Sequence, residues 1–118
     1  MNIEEHSASG VKIAEITSDK IIINSAEDGL ELLGNLYYQD FDRIILHEKN
    51  ITPEFFELKN GIAGEILQKF SNYRVRLAIV GDFSKYTAKS VADFIYESNQ
   101  RRAINFVDTV DSAIESLV

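Results

Sequence analysis

The chain has 118 residues, 45% of them hydrophobic and 26% charged, which fits one folded domain with its own core and excludes wholesale disorder. It contains no cysteine, so disulfides, thiolate catalysis and cysteine-based zinc or iron–sulfur sites are excluded. The net charge of −7 disfavours sequence-independent binding to phosphate backbones, leaving only the small basic clusters Arg74/Arg76 and Arg101/Arg102.

The first residues carry no basic stretch followed by an apolar run, which argues against a secretory signal. No apolar run approaches the roughly 20 residues that span a bilayer. With the lack of cysteine, the expectation is a cytoplasmic protein.

In chain order, residues 2–6 and 11–16 are predicted to form a hairpin turning at Ser9-Gly10. Residues 17–20 make a second turn, and 21–23 (Ile-Ile-Ile) read as a short buried strand. Ser25 is placed to cap a helix over 26–39, with Glu27 and Asp28 putting negative charge on its first turn. Ala26, Leu30, Leu33 and Tyr37 recur there at helical spacing, while Gly29 and Gly34 weaken the helix.

Residues 43–47 (RIILH) read as a strand and 48–52 as a loop. Thr52-Pro53-Glu54 is a helix start, with Thr as cap and Pro at the first position. The helix is predicted over 53–72, with Phe55, Leu58, Ile62, Ile66 and Phe70 on one stripe, and Gly61 as the point where it can split. Phe56 and Tyr38 fall off the apolar stripes and could face a partner. Residues 74–80 become continuously apolar, as a central strand does. Strand, crossover helix and strand form a βαβ unit, so the two strands are expected to be parallel.

A loop at 83–87 precedes a helix at 88–100, with Val91, Phe94, Ile95 and Ser98 turned inward. A short strand at 105–107 and a helix at 109–117, capped by Asp108 or Thr109, close the chain. The layout is a single α/β domain with a mixed sheet of about five to six strands and about four helices.

The segment HEKNITPEFFELKNGIAGEILQKFSNYRVRLAIVGDFSKY, followed by DFIYESN at 93–99, resembles a small bacterial family known only as a domain of unknown function. The match covers nearly the whole chain and implies a stand-alone bacterial cytoplasmic protein, but no activity. The order of elements also resembles STAS domains, the fold of anti-sigma-factor antagonists and sulfate-transporter tails. Leu58-Lys59-Asn60-Gly61 stands where those domains carry Asp-Ser-Ser-Gly, Val80-Gly81 ends the next strand, and FVDTVDSA at 106–113 resembles their closing strand and helix. The resemblance implies a STAS-like fold and a regulatory, protein-binding role. The phosphorylatable serine is absent, because Lys59 and Asn60 occupy the serine positions.

Ligands of open α/β sheets sit at the carboxyl ends of the parallel strands. Here those ends carry His47-Glu48 and Gly81-Asp82. His47 is a candidate acid/base group, with Glu48 to orient it and Asp82 to pair with it across the edge. The structural alternatives are a strand-closing histidine bonded to a backbone carbonyl, and an ordinary Gly-Asp turn with Ser84. Ser84, Lys85 and Tyr86 precede a helix and could receive an anion; Lys59 and Asn60 are further binding candidates. The dipole of the helix ending near Arg101 and Arg102 accounts for those cations, with anion binding as the alternative.

The spacing is not His-Glu-x-x-His, since Ile51 takes the second histidine's place. His6 is the only other histidine, so any metal site would rest on carboxylates, and none is assigned. Nucleotide and hydrolase fingerprints are absent, and no cofactor is expected. Three functions remain in view. The first is a non-enzymatic regulatory module binding a protein partner or a second copy, through the 48–61 segment and the 81–87 loop. The second is an anion-binding protein or hydrolase-like enzyme using His47, Glu48 and Asp82. The third is a dimeric scaffold. Neither nucleic acid nor a membrane is expected as partner.

Overall fold

Five strands form one sheet in the order β1-β2-β3-β4-β5, namely β1 (Asn2–Ala8), β2 (Val11–Thr17), β3 (Arg43–His47), β4 (Arg76–Val80) and β5 (Ile104–Val107). The computed structural model describes every residue except Ala103. β1 and β2 are antiparallel, and every later pair is parallel. The hairpin turns on Ser9 and Gly10, both at positive φ (51° and 75°), the backbone a two-residue primed turn requires. The predicted βαβ unit is present, with Arg43 opposite Arg76 and His47 opposite Val80.

Helix α1 (Ala26–Tyr38) begins at Ser25, whose hydroxyl accepts from the Asp28 amide at 3.3 Å. It buries Gly29, Leu32, Leu33 and Leu36, not the expected stripe through Ala26, Leu30 and Tyr37. Gly29 explains the rotation. A Cβ there would lie 2.8 Å from the Ile66 side chain, so its absence lets α2 (Ile62–Asn72) pack closely at that point.

The predicted single helix over 53–72 is broken. Pro53–Phe56 and Leu58–Asn60 form tight 3-10 turns, and only then does α2 begin. Gly61 sits at φ 81°, a left-handed conformation that no continuous helix contains. Thr52 does cap its turn, accepting from the Glu54 amide. The tighter winding turns both phenylalanines inward, so Phe56 is only 4% exposed and packs edge-on against Phe55 rather than facing a partner.

The predicted strand at 21–23 is also absent. Ile22 and Ile23 both donate to the Asn50 carbonyl, and Ile23 makes one isolated bridge to Ile51. Asn50, fully buried, fastens this segment by donating its side-chain amide to the Ser18 and Lys20 carbonyls at 2.8 Å each.

Helix α3 (Lys89–Arg101) joins α1 and α2 on one face of the sheet, around Leu46, Phe55, Phe70, Ile79 and Phe106. Helix α4 (Val110–Leu117), capped by Thr109, packs on the other face against Ile13, Ile45 and Ala78. Arg43, Arg76 and Arg102 donate to the Ser116 and Leu117 carbonyls at its end. These arginines complement the helix dipole. Among the described residues no helix is long and apolar enough to cross a membrane.

Candidate functional site

At the carboxyl edge the polar side chains satisfy one another. Glu48 follows β3 directly; its Oε2 accepts from the Tyr86 hydroxyl at 2.9 Å and lies 2.6 Å from the Lys85 ammonium. Gly81 makes room for it, since a Cβ at 81 would come within 2.6 Å of the Glu48 side chain. The Tyr86 ring stacks on Phe56 at 4.2 Å, which fixes its hydroxyl toward Glu48. Burial, and then the hydrogen bond to Glu48 and that carboxylate's charge, push the Tyr86 phenol up to about 12.

Asp82 closes its own turn. Its Oδ1 accepts from the Ser84 hydroxyl at 2.6 Å and the Ser84 amide at 3.1 Å, and those bonds hold the exposed carboxyl below its usual range. Asn60 is equally occupied, donating to the Glu54 carbonyl at 2.7 Å and accepting from the Ile62 amide at 3.0 Å at the start of α2. Lys59 stands exposed beside it.

His47 goes elsewhere. Residues alternate faces along a strand, and His47 shares the α4 face with Ile45. There its Nε2 meets Glu15 Oε2 at 2.7 Å, and Glu15 Oε1 meets His6 Nε2 at 2.8 Å. His6 also lies 3.3 Å from Glu4 Oε2. Glu15 is 8% exposed. Burial alone would raise its carboxyl, but the hydrogen bonds from His47 and His6, aided by their charge, outweigh it and hold the group below the usual range.

The expected convergence of His47, Glu48 and Asp82 is therefore not met. His47 bonds a carboxylate under the sheet, Glu48 is tied to Lys85 and Tyr86 at its edge, and Asp82 bonds Ser84. Nor, among the described residues, does His47 meet the backbone carbonyl expected as its structural alternative. The sequence missed Glu15 and His6 because their meeting with His47 depends on strand register over long separations, which local spacing does not express.

At the opposite end of the parallel strands the surface is aromatic. Tyr37, in the last turn of α1, meets Tyr73, the C-cap of α2, ring edge to ring face at 5.4 Å. With Leu30, Leu33, Gly34 and Lys69 they line a groove of about 270 Å³. Tyr38 beside it is 91% exposed. The signal available in the sequence was the Tyr37-Tyr38 pair at one helix end and Tyr73 at the next.

A family model for a domain of unknown function, DUF4180, matches residues 8–117. The chain belongs to the DUF4180 family. The stretch matched to DUF4180 includes Glu15 and His47 and begins after Glu4 and His6. No curated protein matches this DUF4180 chain. A crystal structure of a candidate anti-sigma factor antagonist from Thermotoga maritima is similar to it, with 16% identity and a TM-score of 0.48 over 98% of this chain and 93% of that one.

Proposed function

We propose that this DUF4180 protein is a non-catalytic regulatory module that binds a protein partner through the groove between α1 and α2. The observation that carries this reading is the cluster of Tyr37, Tyr38 and Tyr73 left half or fully exposed around an apolar floor. Scattered exposed apolar residues need no explanation, but grouped ones mark contact surfaces. Tyrosine supplies large contact area and a polar tip, and is enriched among the residues that dominate interface energies. The partner that fits offers an apolar side chain to the floor at Gly34, with acceptors for Lys69 and the phenols at the rim. The edge expected from sequence, 48–61 with 81–87, supports this choice less well because Glu48, Asp82 and Asn60 are bonded internally.

The test places a photo-crosslinking residue at position 38 in cells, identifies the captured protein, and measures its affinity for the purified chain. Gly34→Phe fills the groove, and nothing lies within 4 Å of a Cβ at 34, so the fold tolerates the first atoms of the new side chain. Binding should weaken by at least about tenfold in Gly34→Phe and in Tyr38→Ala. Affinity unchanged in both variants would dismiss this surface.

A further inference from the structure

The face of the sheet carrying α4 holds a second cluster with chemistry of its own. Glu4 and His6 are alternate residues of β1 and so share a face; Glu4 stands directly opposite Glu15 on β2, and His6 opposite Ile13. All lie on the side where α4 packs, but α4 lies mainly over β3, β4 and β5 and reaches β2 at Ile13. The cluster therefore lies on the outer strip of the sheet.

One donor atom from each of Glu4, His6 and Glu15 lies within 4.8 Å of the other two. His6 Nε2 is 2.8 Å from Glu15 Oε1 and 3.3 Å from Glu4 Oε2. Ligands around one four-coordinate ion with bonds of about 2.0–2.1 Å stand roughly 3.3 Å apart, so small side-chain adjustments suffice.

A second observation points the same way. Like charges directly opposite each other on paired strands repel, and here one of the two carboxylates is also nine-tenths buried. A divalent ion between the two carboxylates would turn that repulsion into coordination.

We propose that Glu4, His6 and Glu15 bind one divalent first-row ion of the zinc class, with His47 as a positioning residue. The imidazole nitrogen favours zinc-like ions over magnesium or calcium. His47 Nε2 already holds Glu15 Oε2, leaving Oε1 for the ion, the arrangement in which an outer hydrogen bond orients a ligating carboxylate. Binding replaces the His6 contact to Glu15 with two bonds to the ion; the ring ligates through Nε2 as its Nδ1–H tautomer, a neutral ring shifting its proton to Nδ1 and a cationic ring releasing one to solvent. Three protein ligands leave a coordination position for water. Two of the three ligands, Glu4 and His6, precede the residues matched to the family, and the third, Glu15, lies within them.

The test uses the full chain freed of metal by chelation. Zinc chloride is titrated against a competing chromophoric chelator, and bound zinc is counted by elemental analysis. The expected result is one zinc per chain, no competition from excess magnesium, and cobalt(II) bands typical of four coordination. His6→Ala and Glu4→Gln alter exposed or half-buried positions on the edge strand, and circular dichroism checks their folding. Each should weaken zinc binding by at least about tenfold, and His47→Gln by about tenfold through the orientation of Glu15. Absence of stoichiometric zinc, or equal affinity in His6→Ala and Glu4→Gln, would overturn the site. Unchanged affinity in a folded His47→Gln would overturn the positioning role.

Discussion

The face of the sheet under α1, α2 and α3 is closed by apolar contact, while the face under α4 is closed by a helix over β3, β4 and β5 and at Ile13 of β2, leaving the outer strip uncovered. On the first face Phe55, Phe56, Phe83 and Phe94 crowd around Phe106. On the second, the strip beyond α4 is polar, and a buried carboxylate persists there because two imidazoles bond its two oxygens. A charge beneath a covering helix would need a partner within the core. Where the helix stops short, strand register alone can assemble a polar cluster.

The sharpest challenge to this contrast is Phe55→Ala, which should cost about 3–5 kcal/mol in urea denaturation because the removed ring lies at the centre of the larger core. Leu117→Ala, equally buried on the α4 face, should cost about 2–3 kcal/mol, since a short terminal helix can settle into the space. A larger loss at Leu117 than at Phe55 would reverse the ranking of the two faces.

Two glycines of α1 separate its packed side from its open one. Gly29→Ala should destabilise by about 1–3 kcal/mol, because its new Cβ meets Ile66. Tyr86→Phe probes the polar rim of the larger face. The phenol is raised above its usual value of 10, to about 12, so its bond to Glu48 contributes fully below pH 10 and is lost as pH climbs toward 12. The stability difference between the native chain and Tyr86→Phe should thus shrink by on the order of 1 kcal/mol across that window. A difference that stays flat with pH would mean the bond is not kept in solution. The smallest effect is expected at Gly34→Ala, a gain of about 0.5–1 kcal/mol from helix propensity alone, read as a higher Tm.

Much of the architecture was legible because it rests on local signals. β3 was delimited correctly by its apolar run, the hairpin by Ser9-Gly10, and the start of α1 by Ser25. The parallel pairing of β3 with β4 followed from a crossover too long for a hairpin. The failures share a cause. Residues 53–61 have helical periodicity, yet the left-handed Gly61 and the inward packing of Phe56 favour separate tight turns. The three isoleucines at 21–23 are apolar enough for a strand, but their backbone is claimed by Asn50 and Thr52, which no local pattern announces. The same limit applies to the candidate site. His47 and Asp82 could be placed at strand ends, but His47 bonds a carboxylate fixed by the pairing of β2 with β3.

Among the described residues β1 pairs only with β2, so its outer row of amides and carbonyls is open to another strand. Glu4 and Glu5, on successive positions of that strand, present negative charge on both faces of this border, and two copies approaching edge to edge repel each other. Quenching that charge, by acid or by a cation, lowers the barrier to runaway sheet extension. The position of these two carboxylates, and not only the net charge of −7, thus guards the open border of the sheet.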